Sequence, residues 1–278
     1  MNLCLTICRC INNYFCKMRY LIILLFLGII ISCTNTDSTD DNRDAQSDVP
    51  NISYTVTASY PHDTSSFTQG LVYYDGQLIE STGNYGKSKL LVTDIKSGKA
   101  LKQVELDSMY FGEGLAILND TIFQLTWKEH VVHVYTKDLK KIKEFKINTD
   151  GWGITTDGKN LIVSDGSSNL YYYEPSTFRL LRTQGITENG SPAPNLNELE
   201  YIDGFIYANQ WQYNYLLKID PASGELVGKI DLRELGDRAK AKNPNEQWLN
   251  GIAYDSAAKK IFVTGKYWPE LYEITFSH

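Results

Sequence analysis

Residues 69–83 read QGLVYYDGQLIESTG. An apolar run meets Asp75-Gly76, and a second apolar run follows. Asp-Gly between two such runs is a strong hairpin signal, because the tight turn needs positive φ at both positions. The phrase returns four times: EGLAILNDTIFQLTW at 113–127, WGITTDGKNLIVSDG at 152–166, NELEYIDGFIYANQW at 197–211 and NGIAYDSAAKKIFVTGK at 250–266. Its turns fall at Asn119-Asp120, Asp157-Gly158, Asp203-Gly204 and 255–258. Each unit then continues into two more strands around a turn, as in KLLVTDIKSGKALKQVEL after the first and YLLKIDPASGELVGKIDL after the fourth. Four antiparallel strands in each of five units predict an all-β, five-bladed β-propeller. A β-sandwich or a six-bladed ring is the alternative, and the five Asp-containing turns favour five blades. The fifth unit ends one strand short, after PELYEITF, and SYTVTASY at 53–60 is expected to supply that strand and close the ring. The long insert RELGDRAKAKNPNEQWLNG at 233–251 is expected to hold a helical turn and to cover one face.

Composition narrows the chemistry. The chain has 278 residues, 42% of them apolar, enough for a sizeable core. A net charge of −6 argues against nucleic acid as a partner, since phosphate binding needs a basic face. Cys4, Cys8, Cys10, Cys16 and Cys33 all lie in the first 33 residues, so the folded part has no disulfide, no thiolate metal ligand and no Cys nucleophile. Its histidines, His62, His130, His133 and His278, lack ligand spacing, and His130 and His133 would face opposite sides of a strand. No metal and no other cofactor is expected.

The N-terminus reads as an address. From Met18, Arg19 precedes an apolar run from Tyr20 to Ile31 and then Ser32-Cys33. The run is shorter than the ~20 residues of a spanning helix and resembles a bacterial lipoprotein signal, with Cys33 as the lipidated first residue of the mature chain. An uncleaved membrane anchor is the alternative. Residues 1–17 read as an upstream extension. Residues 34–51 are acidic and rich in Ser, Thr and Asp, the composition of a flexible tether. The expected organisation is therefore signal 1–33, tether 34–51 and propeller 52–278, in a monomeric extracytoplasmic lipoprotein held on a membrane.

In a propeller the first strand of each blade lines the central channel. The residue entering that strand is Gln69, Glu113, Trp152, Asn197 and Asn250 in the five units, equivalent in backbone and different in chemistry. The end of the second strand gives a second ring: Gly83, Trp127, Gly166, Trp211 and Lys266. Phe67 and Phe111 precede the first ring by two. Together they predict an aromatic-walled cup with one acid, one amine and several carboxamides, the usual makeup of a small-molecule pocket. Blade-to-blade packing is the competing explanation for any single Trp.

The strings FTQGL, FGEGLAIL, LTW, DGWGIT, LNELEYIDGFIYANQW and TGKYWP, in that order, resemble the plant and bacterial type of glutaminyl-peptide cyclotransferase, from about Ser53 to the C-terminus. The resemblance implies an enzyme that converts N-terminal Gln of peptides or proteins to pyroglutamate with loss of ammonia. It implies Glu113 as the acid and Phe67, Gln69, Phe111, Trp127, Trp152, Asn197, Trp211 and Lys266 as substrate-binding residues. One carboxylate suffices for such a ring closure: it takes a proton from the attacking amine and returns one to the leaving nitrogen. Glu198 and Glu200 are the rival acids. Glu198 follows a ring position and should point away from the cup, so it reads as a structural hydrogen-bonder between blades. Lys128-Glu129 reads as a solvated pair. The alternatives to this enzyme are an extracytoplasmic propeller that only binds a small ligand or peptide in the cup, and a sugar- or lactone-processing propeller. The latter would need a carboxylate-lined metal site on the axis.

Overall fold

The computed structural model describes residues 49–276. The signal segment, most of the tether and Cys33 lie outside the described residues. Four blades are built in simple chain order. In blade 1 the strands are Thr68–Tyr74, Gln77–Thr82, Lys89–Asp94 and Lys99–Glu105, from the axis outward. Blades 2, 3 and 4 repeat this from inner strands Gly112–Leu118, Ile154–Thr156 and Leu196–Ile202. Blade 5 takes its inner three strands from Leu249–Asp255, Lys260–Gly265 and Glu270–Phe276, and its outer strand from Tyr54–Pro61. The N-terminal strand pairs antiparallel with the last one, from Tyr54↔Phe276 to Pro61↔Glu270. Neighbouring inner strands touch in ring order, and the fifth touches the first.

Local chemistry explains the hairpins. Asp75-Gly76, Asn119-Asp120 and Asp203-Gly204 are two-residue loops with positive φ throughout, between partners Tyr74↔Gln77, Leu118↔Thr121 and Ile202↔Phe205. Asn, Asp and Gly tolerate that region best, and such turns match the twist of the paired strands.

The core is divided as the ring is. Five apolar clusters each lie between two blades: Ile79, Leu90, Leu115 and Ile122 join blades 1 and 2, and Leu71, Leu78, Ala253 and Phe262 join 5 and 1. The other three gaps are filled in the same way. Each fully buried Leu, Ile or Phe contributes about 1.5–3 kcal/mol, so the ring is held at its gaps.

Two places show more than the sequence pattern did. The insert forms an α-helix, Arg233–Lys242. It buries Leu235 and Ala239 in the cluster between blades 4 and 5, beside Trp268 and Leu249. The residues at the expected propeller start are also bonded to blade 4. Ile52 donates its N–H to Lys229 O at 2.7 Å, Lys229 donates to Pro50 O at 2.9 Å, and Asn51 bridges Lys229, so residues 50–52 run along the outer strand of blade 4. Those main-chain bonds fix the segment despite its polar composition.

Candidate active site

The inner strands approach the axis so closely that backbone meets backbone. A Cβ on Gly70 would lie 2.5 Å from Leu115 N, and one on Gly114 would lie 2.6 Å from Trp152 O. Gly153 is equally tight against Asn197. Only Gly fits there. In blade 4 the same position is Glu198, whose side chain fills the channel instead. Its Oε1 accepts the Leu71 N–H at 3.4 Å and its Oε2 accepts the Ile252 N–H at 2.9 Å, tying blade 4 to blades 1 and 5. Glu198 is thus the inter-blade hydrogen-bonder the sequence implied. Glu200, one step along, accepts the Tyr254 N–H at 3.0 Å. Burial raises both carboxyls, Glu198 well above the usual range and Glu200 to about 8.

Just before these positions the pairing slips. A register shift interrupts the inner strands of blades 1, 2, 4 and 5 between Thr68 and Gly70, Gly112 and Leu115, Leu196 and Leu199, and Leu249 and Ile252. Such a bulge re-aims a side chain, and it falls on Gln69, Glu113, Asn197 and Asn250. The second ring is tied to the loop two residues upstream. Gly83, Trp127, Trp211 and Lys266 donate their N–H groups to the carbonyls of Phe67, Phe111, Asn195 and Trp248, at 2.8–3.1 Å. One repeated hydrogen bond therefore registers both rings and the two phenylalanines.

The structure brings Phe67, Gln69, Phe111, Glu113, Trp127, Trp152, Asn197, Trp211 and Lys266 together around a cavity of about 250 Å³. Phe111 packs edge-on to Phe67 and Trp127, with ring centroids 6.1 and 5.6 Å apart, and Trp152 packs edge-on to Trp211 at 5.8 Å. The two glycines of the second ring make room for these walls: a Cβ on Gly83 would strike the Phe111 ring, and one on Gly166 would lie 2.6 Å from the Trp152 indole.

The polar floor has one direction. Asn250 Nδ2 donates to Gln69 Oε1 at 3.1 Å and to Thr68 O at 2.9 Å, so Gln69 must present its Nε2 to Glu113 Oε1, at 3.0 Å. The other Glu113 oxygen has no hydrogen-bond partner among the described residues, and neither does Lys266 Nζ. Burial pushes the Glu113 carboxyl well up; the Lys266 charge opposes this, and the charges of Glu129 and Asp150 add to it. Burial lowers Lys266 to about 8, against the pull of Glu113. The Lys266 ammonium lies over the Phe67 ring, 4.6 Å from its centroid. Two buried atoms at the cup, Asn197 Oδ1 and Trp152 Nε1, lack hydrogen-bond partners, one an acceptor and one a donor. The site therefore offers a carboxylate with a free oxygen, an ammonium, an amide oxygen and an indole N–H inside aromatic walls.

Glu129 is not half of a solvated pair. Its Oε1 accepts the Tyr85 O–H at 2.9 Å and its Oε2 accepts the Phe111 N–H at 3.2 Å, while Lys128 lies over the Trp127 ring at 4.3 Å. These partners are distant in sequence and leave no local signal. Among the described residues no three His, Cys, Asp or Glu side chains gather to hold a metal ion, and His130 and His133 go separately to Thr149 O and Glu144.

The chain also has relatives. The profile of the family described as glutamine cyclotransferase matches residues 26–276. A glutaminyl-peptide cyclotransferase of Arabidopsis thaliana is 43% identical over 223 residues, which is 79% of this chain and 70% of that protein. A solved structure, the glutaminyl cyclase of Myxococcus xanthus, superposes with a TM-score of 0.77 at 34% identity, covering 82% of this chain and 98% of that one.

Proposed function

The chain belongs to the glutamine cyclotransferase family and is an enzyme of that kind, and from that premise we propose how its cup closes the ring. The substrate is a peptide or protein with N-terminal Gln. Its side chain enters between the Trp and Phe walls, which exclude the water that would hydrolyse the amide. The neutral α-amine attacks the γ-carboxamide carbon of the same residue. Both reacting groups belong to one residue, so holding its conformation supplies much of the acceleration.

Glu113 accepts a proton from the amine through its free oxygen. It then returns a proton to the departing nitrogen, which leaves as ammonia while the new C–N bond remains in pyroglutamate. Burial lifts the Glu113 carboxyl well above the ordinary carboxylate range, which suits a group that must take a proton and then give one back. Gln69, fixed by Asn250, holds Glu113 in place. Asn197 Oδ1 accepts from the α-amine. The Trp152 N–H and the Lys266 ammonium stand to stabilise negative charge on the carboxamide oxygen. The observation that carries this reading is the half-free carboxylate of Glu113 at the floor of an aromatic-walled cup.

The test is incubation of the purified protein with a Gln-initiated dipeptide. Ammonia and a pyroglutamyl product are expected in equal amounts. Binding of the peptide without ammonia release would return the cup to a recognition role.

The location of the enzyme is part of the proposal. The short apolar run ending in Ser32-Cys33 supports an extracytoplasmic protein anchored through lipid on Cys33. Among the described residues no helix is long and apolar enough to cross a membrane. Replacing Cys33 by Ala should release the protein from membranes in detergent partitioning. Retention would make the apolar segment itself the anchor.

A further inference from the structure

A second cavity of about 470 Å³ opens beside the cup, along the gap between blades 5 and 1. We infer that this trough binds the main chain of the substrate's second and following residues, so that the enzyme favours extended N-terminal segments over dipeptides. The inference rests on the reading of the cup given above.

Continuity is the first support. The cup is closed beneath by the Asn250–Gln69–Glu113 layer and by Glu198, so a peptide whose first residue lies in it must leave over the rim. Tyr267 and Gly83 line the trough and also back the cup. The Tyr267 ring packs on Phe67 at 5.2 Å, and Gly83 gives way to the Phe111 ring.

The sill between the two cavities is fixed. Asn84 Nδ2 donates to the Tyr267 O–H oxygen at 2.9 Å, across 183 residues of chain. Both residues have positive φ, 86° for Asn84 and 62° for Tyr267. A bulky residue keeps that conformation only when its surroundings enforce it. Here the Tyr267 N–H goes to Ser66 O at 2.8 Å, and the Tyr267 carbonyl accepts from Asn243 Nδ2 at 2.8 Å. These bonds hold Tyr267 between the cup and the trough.

The lining supplies the recognition. The Lys87 ammonium and the Gln103 carboxamide make no hydrogen bond within the described residues. They offer donors and an acceptor to peptide groups. Lys87 and Lys89 are balanced by Asp63 and Glu105, so the trough has no net charge. That suits a neutral polar backbone better than a charged side chain.

The test compares a Gln-initiated dipeptide with a Gln-initiated pentapeptide of small neutral residues. Two added hydrogen bonds at about 1 kcal/mol each predict a kcat/KM about thirtyfold higher for the pentapeptide. Ala100→Trp fills the trough from its exposed outer strand, away from the cup. It should bring the pentapeptide down to the dipeptide rate and leave the dipeptide rate unchanged. Should that variant fail to fold, the surface double variant Lys87→Ala/Gln103→Ala should lose severalfold on the pentapeptide alone. Equal use of both peptides by the wild type, or equal losses on both in a folded variant, overturns the trough. A wild type that releases ammonia from neither peptide overturns the reading of the cup instead, and the trough with it.

Discussion

Glu113 and Glu198 sit one residue apart in the repeat, at the bulged start of inner strands in blades 2 and 4. Both are buried and both carboxyls are pushed well up by that burial. What differs is who holds them. Glu198 gives both oxygens to main-chain N–H groups of two other blades. Glu113 gives one oxygen to the Gln69 side chain and keeps the other for the cavity. A raised carboxyl therefore does not mark a catalytic acid. Main-chain donors on both oxygens make a staple, whereas a free oxygen beside an ammonium leaves a carboxyl open to the role proposed for Glu113.

The largest effect expected from this contrast is on Glu113→Gln. Loss of the proton carrier should lower kcat by about 10²–10⁴-fold, toward the upper end because one group serves two transfers, with little change in thermal stability. Near-normal turnover in folded Glu113→Gln would break the comparison and make Glu198 the next acid to test. Glu198→Ala should do the reverse. Two buried N–H groups lose their acceptor, each costing about 1–3 kcal/mol, so the melting temperature should drop while the variant that still folds keeps its kcat.

Lys266 extends the contrast to stability. Its folded pKa of about 8 lies below the ordinary 10.5. Between those values the unfolded chain binds the proton that the folded chain has released, so stability rises with pH across that window. Below about pH 8 the buried ammonium costs about 3 kcal/mol. Lys266→Met should therefore melt above the wild type at pH 7, lose that advantage above pH 10.5, and turn over more slowly. Equal melting at pH 7 would mean the ammonium is better solvated than its burial implies. The smallest effect sharpens the comparison from the other side. Gln69→Glu puts a second carboxylate against Glu113, whose pKa should rise, so the acid limb of the pH–rate profile should move up while activity stays measurable. An unmoved limb would separate Gln69 from the proton carrier.

Much of this was legible because the repeat spells out its own register. Aligning five Asp-containing turns gave the blade count, and counting back from them placed both rings, down to the missing outer strand at 53–60. The rest depends on what alignment does not display. The bulges that aim Gln69, Glu113, Asn197 and Asn250 are shifts in pairing, not in composition. Residues 50–52 are polar yet fixed by main-chain bonds to Lys229. The helix at Arg233–Lys242 was visible as an insert, but its destination was set by the space left between blades 4 and 5. Glu129 looked like a surface charge because its partners, Tyr85 and the Phe111 N–H, are neighbours only after the ring closes.

That closure also sets an order in time. The strand Tyr54–Pro61 is among the first folded segments to be made, and its partner Glu270–Phe276 is the last. Thr57 donates its hydroxyl proton to Glu273 across 216 residues. At about 5–20 residues per second of synthesis, the early strand waits roughly 10–40 s for its mate. Until then blades 1 to 4 can pair internally, but the ring stays open and the cup lacks Lys266.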